Sequence, residues 1–339
     1  MRTESFITRR EAIAMLGAGF LIPRQRGPRA VIRTLLKDIE PEMLTGPILF
    51  HEHLSMHYPP QTPQHFTDDV AMMVDEAKAA KQDGIACIVD GGHADMSRSL
   101  DALKRIATES GLPVVASGGY YMQRTYPQDI SKKSPDEIAD ELVHDANDQH
   151  LGAFGEIGQQ DGVMTADELK VFQAVAKAQV RTGLPIFTHN AYTGVRPTQN
   201  PVPPDSALRQ LDVLEQAGAK PEHIAIGHVC CLDDPKAGIA KELAKRGVFV
   251  GFDRVTIPIV PDGERVQMIM AMVEAGFIDH VLISSDFAVA SSLKKNGGPG
   301  LAQTSTVFAP MLLKAGMREE MLPRILVDNP RRFLAFLSK

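Results

Sequence analysis

The chain has 339 residues and a mass of 37.0 kDa, with 44% hydrophobic residues, 23% charged residues and a net charge of −6. There is enough apolar material for a core, which excludes an intrinsically disordered chain, and no uncharged apolar run approaches the roughly 18 residues of a spanning helix, which excludes a polytopic membrane protein. The acidic balance and the lack of a basic tail argue against nucleic acid as a partner.

Residues 1–29 are the one segment that does not read as fold. Thr8-Arg9-Arg10-Glu11 precedes an uncharged stretch, 12–22, and then Pro23 and Arg24. Twin arginines ahead of a short, mildly apolar stretch form the pattern of a Tat export signal. The expectation is a precursor that uses the Tat machinery, a periplasmic location, and a folded unit over 30–339 with no membrane span in the mature chain. No clean Ala-x-Ala cleavage site follows, and the competing use of the segment is an N-terminal helix packed on the body.

From about residue 46 the chain alternates regularly between apolar runs that end in polar residues and helix-period stretches. Strands are predicted at 47–53, 85–91, 113–119, 152–157, 185–189, 223–228, 248–253 and 280–286. The intervening and following helices are predicted at 68–82, 97–109, 135–149, 166–181, 205–216, 235–245, 263–274 and 303–314, with a terminal helix at 330–337. Thr67, Ser134, Thr165 and Asp234 stand where N-caps would, and Gly follows several helices. Eight such units, with no linker to divide them, predict an α/β chain folded as a single (β/α)8 TIM barrel. The cysteines do not alter this reading. Cys87 lies in an apolar run and reads as a core thiol, and the pair Cys230-Cys231 could line a pocket.

In such a barrel the reactive groups sit at the C-terminal ends of the strands. Five of the eight predicted strands end in metal-ligating residues. The first ends in His51-Glu52-His53, where period-two alternation puts both imidazoles on one face. Glu156, His189, His228 and Asp286 end the fourth, fifth, sixth and eighth. Each alone has a plainer use: a loop histidine, a helix cap at Asp286, an Arg partner for Glu156. All six at one mouth point to metal, and four imidazoles with two carboxylates exceed what one tetrahedral zinc takes. Two divalent ions sharing a carboxylate would use the whole set.

This ordered set resembles the phosphotriesterase family of the amidohydrolase superfamily. The likeness runs over roughly residues 40–339 and includes Gly155-Glu156-Ile157-Gly158, the run 183–189, Gly227-His228, Ser284-Ser285-Asp286 and Asn329-Pro330-Arg331-Arg332-Phe333. The resemblance implies that His51, His53 and Asp286 bind the more buried ion, His189 and His228 the more exposed one, and that Glu156 bridges them. Many members of the family use a carboxylated lysine at the bridge. Glu156 in its place is similar to the subgroup named phosphotriesterase homology proteins. His228-Val229-Cys230-Cys231 departs from the small or acidic polar residues common in the family.

The implied function is a binuclear metal-dependent hydrolase, with zinc the expected metal and manganese or cobalt the alternatives. A metal-bridging hydroxide would attack an ester, lactone or phosphotriester, and Asp286 would take the proton. Lactonases of the family have a Tyr and an Arg in places similar to Tyr120 and Arg254, which favours a lactone-type small-molecule substrate. Arg254 could equally be a structural ion-pair residue, and His93 a loop or supporting residue. The resemblance further suggests a homodimer. Two other readings stay open: a single-metal amidohydrolase or deaminase, and a non-catalytic metal-containing binding protein.

Overall fold

The computed structural model describes residues 29–57, 67–191, 202–257 and 260–338. The expected leader at 1–29 lies outside these, Arg29 excepted, as does most of the Pro-rich run 197–204. Eight parallel strands follow one another around a barrel, each beside its sequence neighbour: β1 (Ile48–Glu52), β2 (Cys87–Asp90), β3 (Val114–Gly118), β4 (Ala153–Gly158), β5 (Ile186–His189), β6 (Ile224–Ile226), β7 (Phe249–Phe252) and β8 (Val281–Ile283). All eight lie within the predicted spans to within a residue. Just past β8, the Asp286 amide donates to the His51 carbonyl at 3.1 Å and the His53 amide to the Phe287 carbonyl at 3.0 Å, which joins the last strand to the first.

Period-two alternation sorts the strand side chains into two cores. Ile48, Phe50, Cys87, Val89, Val115, Ala153, Phe187, Ala225, Phe249 and Leu282 fill the barrel interior. Leu49, Ile88, Val114, Phe154, Ile186, Ile224, Val250 and Val281 face the helices. The interior packs downward onto Ile32, Leu44, Phe333 and Leu334. Phe333 meets Phe50 and Phe249 edge-on at 6.2 and 5.6 Å between ring centroids. Asn329 anchors this floor by donating to the Ile278 and Val281 carbonyls, both at 2.8 Å.

The helices are set by local caps. Ser134 with Glu137, and Thr165 with Glu168, form reciprocal capping boxes that start Pro135–Asp148 and Ala166–Thr182. Elsewhere the expected boundaries shift. Val70–Gln82 is capped by Asp69, not Thr67, because Thr67 is buried and accepts the Met56 amide instead. The helix expected from Pro235 begins at Gly238. Asp234 still serves it, reaching the Gly238 and Ile239 amides at 2.7 and 2.8 Å. Thr304–Phe308 makes a π turn before Ala309–Lys314. The terminal helix stops at Leu334, and Phe336–Leu337 instead pairs antiparallel with Ala30–Val31. No helix among the described residues is long and apolar enough to cross a membrane. Cys87 is a buried core thiol, and Cys230 and Cys231 are buried with their sulfurs 4.0 Å apart.

Candidate metal centre

His51, His53, Glu156, His189, His228 and Asp286 come together at the C-terminal mouth, all buried. Three routes bring them there. His189 follows the interior alternation of β5 from Phe187 without interruption. His51 and Glu156 do not. Strict alternation from Ile48 and Phe50 would turn His51 outward, and from Ala153 it would turn Glu156 outward. Register shifts between Leu49 and Glu52 in β1, and between Phe154 and Ile157 in β4, reset the phase at both ligating positions. The glycines around Glu156 serve close approach: a Cβ on Gly155 would lie 2.3 Å from the Phe187 ring, and one on Gly158 2.2 Å from the Tyr121 carbonyl. His228 and Asp286 lie beyond their strands in left-handed conformations, φ 55° and 48°. Each such residue costs roughly 1–3 kcal/mol and persists only where its surroundings hold it.

Glu156 sits at the centre, with Oε1 toward His53 and Oε2 toward His189 and His228 and also 3.5 Å from His51 Nε2. Its Oε1 is 3.3 Å from His53 Nε2, while Oε2 is 2.7 Å from His189 Nδ1 and 3.3 Å from His228 Nε2. On the first side Asp286 Oδ1 is 3.0 Å from His53 Nε2 and 3.7 Å from His51 Nε2. On the second, His189 Nδ1 and His228 Nε2 approach to 2.9 Å. Nitrogen and oxygen atoms of His51, His53, Glu156 and Asp286 lie within 4.8 Å of one another, and so do those of Glu156, His189 and His228.

The donor chemistry fits divalent cations. His51 turns its Nδ1 to Asp253, so its buried Nε2 faces the cluster, where it makes no well-formed hydrogen bond. Burial opposes a charged His53, yet Asp286 and Glu156 raise it to about 10. Burial likewise opposes ionisation of Glu156, yet His189 and His51 hold it well below the ordinary carboxylate range. His189 goes the other way, pushed down to about 4 by burial. The ionised carboxylates thus raise His51, His53 and His228 against their burial, so the cluster favours positive charge, which divalent cations can supply in place of protons.

Asp253, which the sequence reading did not single out, organises both groups. Its Oδ2 takes His51 Nδ1 at 2.8 Å, and its Oδ1 takes His228 Nδ1 at 2.9 Å and the His228 amide at 2.7 Å. The two imidazoles are thereby stacked at 5.3 Å with 20° between their planes. A carboxylate at the end of β7 meets the criterion that found the other six, so the signal was present. Carboxylates that orient ligating histidines are typically worth 10–100-fold in metal affinity. Asp253→Asn is therefore expected to weaken zinc binding by about 10–100-fold, as measured by competition with a chromophoric chelator.

The remaining predicted residues divide. Arg254 Nη1 is 3.1 Å from Asp286 Oδ2, at the edge of the centre. Tyr120 is elsewhere. Its ring meets Tyr126 at 6.2 Å, and burial beside Glu141 pushes its phenol up to about 12. The tyrosine at the centre is Tyr121, with its hydroxyl 3.3 Å from His189 Nδ1. The difference of one residue arises because β3 ends at Gly118 and Gly119 takes φ 132°, so alternation no longer governs the residues beyond it. His93 supports rather than enters: its Nε2 donates to the Gly155 carbonyl at 2.7 Å, next to Glu156.

A model of the phosphotriesterase family matches residues 31–334. The phosphotriesterase homology protein of Escherichia coli is 30% identical, over 85% of this chain and 98% of its own length. The N-acetyltaurine hydrolase of Danio rerio is 28% identical, over 91% of this chain and 99% of its own. A crystal structure of the Escherichia coli phosphotriesterase homology protein, complexed with phosphate in its active site, superposes with a TM-score of 0.77 at 28% identity, covering 86% of this chain and 99% of that one.

Proposed function

The chain belongs to the phosphotriesterase family of metal-dependent hydrolases, and from that premise we propose that it is a binuclear enzyme that cleaves an acyl bond, a lactone or carboxylic ester, in a small molecule. The observation that carries the reading is Glu156, which turns one oxygen to His53 and the other to His189 and His228. His51, His53 and Asp286 would hold one cation, His189 and His228 the other, and Glu156 both. The mixed imidazole and carboxylate set suits zinc, with manganese and cobalt also able to fill it. Such cations supply Lewis acidity toward the attacked oxygen and acidify the attacking water.

The chain's own groups do the rest. Asp286 Oδ1 faces the histidines, which leaves Oδ2 to accept the proton of the attacking water and pass it to the leaving group. Arg254, 3.1 Å from Oδ2, orients that carboxylate and presents a permanent charge to a polar oxygen of the substrate. It cannot relay the proton, because a guanidinium stays protonated. Tyr121 lines the His189 side. A second reading, hydrolysis of an N-acyl amide, is favoured by the 28% identity over nearly full length to the N-acetyltaurine hydrolase of Danio rerio.

The test is a panel of lactones, carboxylic esters, N-acetyltaurine and phosphotriesters, run on protein of measured metal content. Two ions per chain with turnover of a lactone or ester supports the proposal. One ion per chain, or turnover of phosphotriesters alone, sinks it. On the same panel Arg254→Ala is expected to cut hydrolysis of the preferred polar substrate at least about 10-fold more than that of a small activated ester, an effect on the order of one charge-assisted hydrogen bond. Equal losses on both would make Arg254 a structural partner of Asp286.

A further inference from the structure

We propose that Glu52 is a positioning residue: by fastening β8 to β1 it fixes the backbone that presents Asp286, and so sets how tightly the Asp286 side of the centre holds its cation. The proposal rests on the metal-centre reading above.

Glu52 lies between His51 and His53 but takes no part in their cluster. Its carboxylate is fully buried at the seam of the barrel and accepts four hydrogen bonds from one short segment. Oε1 takes the Ser284 hydroxyl at 2.9 Å and the Ser285 amide at 3.0 Å. Oε2 takes the Ser285 hydroxyl and the Phe287 amide, both at 2.7 Å. The two amides flank Asp286. The Asp286 amide itself goes to the His51 carbonyl at 3.1 Å. Three successive amides therefore all point at β1.

An extended strand cannot do this, because its successive N–H groups alternate in direction. The left-handed turn at Asp286, φ 48°, brings the flanking amides to a common acceptor, as in the concave backbone nests that bind anions. The acceptor here is a side chain of the first strand. Without it, Asp286 would lose what offsets its unfavourable φ, and two buried amides would lose their partners. The arrangement also uses both serines of Ser284-Ser285-Asp286: each hydroxyl donates to Glu52, and that of Ser284 also accepts the His51 amide at 3.1 Å. A Gln cannot replace the carboxylate, because its NH2 group would face at least one of the four donors.

Two variants test the role, Glu52→Gln and Ser285→Ala, the second leaving untouched both the charge beside the histidines and the Ser284 hydroxyl that accepts the His51 amide. Amide hydrogen exchange at 285–287 is read in metal-free protein, and zinc affinity is read by chelator competition at each of two sites. The expected result is faster exchange at these amides in both variants, and about 10–100-fold weaker binding of one ion with the other unchanged. The ion affected is the one whose binding also falls in Asp286→Asn. Folded variants with unchanged exchange and both ions at wild-type affinity would overturn the proposal, as would equal weakening of both ions, the mark of general loosening. Should Glu52→Gln fail to fold, the serine variant decides alone. Should the wild-type protein bind no ion, the metal-centre reading falls, while exchange at 285–287 still supports or refutes the clasp.

Discussion

On the proposed binuclear reading, Glu156→Gln is expected to leave the protein folded, to release at least one of the two cations, and to lower hydrolysis by about 10²–10⁴-fold. The magnitude follows from losing a cation's stabilisation of transition-state charge, several kcal/mol. An amide keeps the shape of the side chain but not its charge, and it offers one oxygen where two are needed. The Oε2 position has contacts at 2.7 and 3.3 Å to His189 and His228, and Oε1 has one at 3.3 Å to His53, so either orientation of the amide deprives one group of its oxygen. A second expectation separates this centre from those bridged by a carboxylated lysine. Glu156 brings both oxygens with it, so metal-free protein should regain activity with divalent metal alone, at a rate indifferent to added bicarbonate. Metal analysis of the variant and a reconstitution time course with and without bicarbonate check both. Two retained ions with full activity, or recovery that needs bicarbonate, would remove Glu156 from the bridge.

Asp286→Asn is expected to lower turnover by about 10²–10⁴-fold, the usual worth of a positioned acid–base group. The carboxylate has two separate duties. Oδ1 lies 3.0 Å from His53 Nε2, and Oδ2 lies 3.1 Å from Arg254 Nη1. Asn keeps one acceptor and loses the charge, so it can hold a metal loosely or face Arg254, but it cannot take a proton. Saturating metal should therefore restore occupancy without restoring kcat. Near-normal kcat at saturating metal would assign the proton to another group.

The residues that were legible and those that were not differ in a physical way. His189 was readable because β5 alternates regularly from Phe187 to its end. The pairing of His51 with His53 was readable as a relative statement, but the face they share was not, because it depends on a register shift beside Phe50. Glu156 depends on a similar shift in β4. A period-two rule has no means of announcing where its own phase resets. Tyr121 was missed for the same reason: beyond Gly118 the chain leaves the strand, and position no longer predicts direction. Asp253 and Glu52 were missed for a different reason. Asp253 ends its strand as the ligands do but turns to the outer nitrogens of His51 and His228, and Glu52 binds residues more than 230 positions away. The strands themselves were legible throughout, since each is a short apolar run closed by polar residues. The ends of the helices were less so, because Thr67 and Asp234 formed long-range or offset bonds that local sequence does not reveal.

The packed floor of the barrel governs traffic. Phe50, Phe187, Phe249 and Phe333 close the interior beneath His51, whose ring rests 5.0 Å from that of Phe187. With rings interlocked edge to face, these described residues fill the barrel axis beneath the centre. With the floor side filled by these residues, traffic of substrate and of both halves of the cleaved molecule falls to the C-terminal mouth, where the strand ends place the centre.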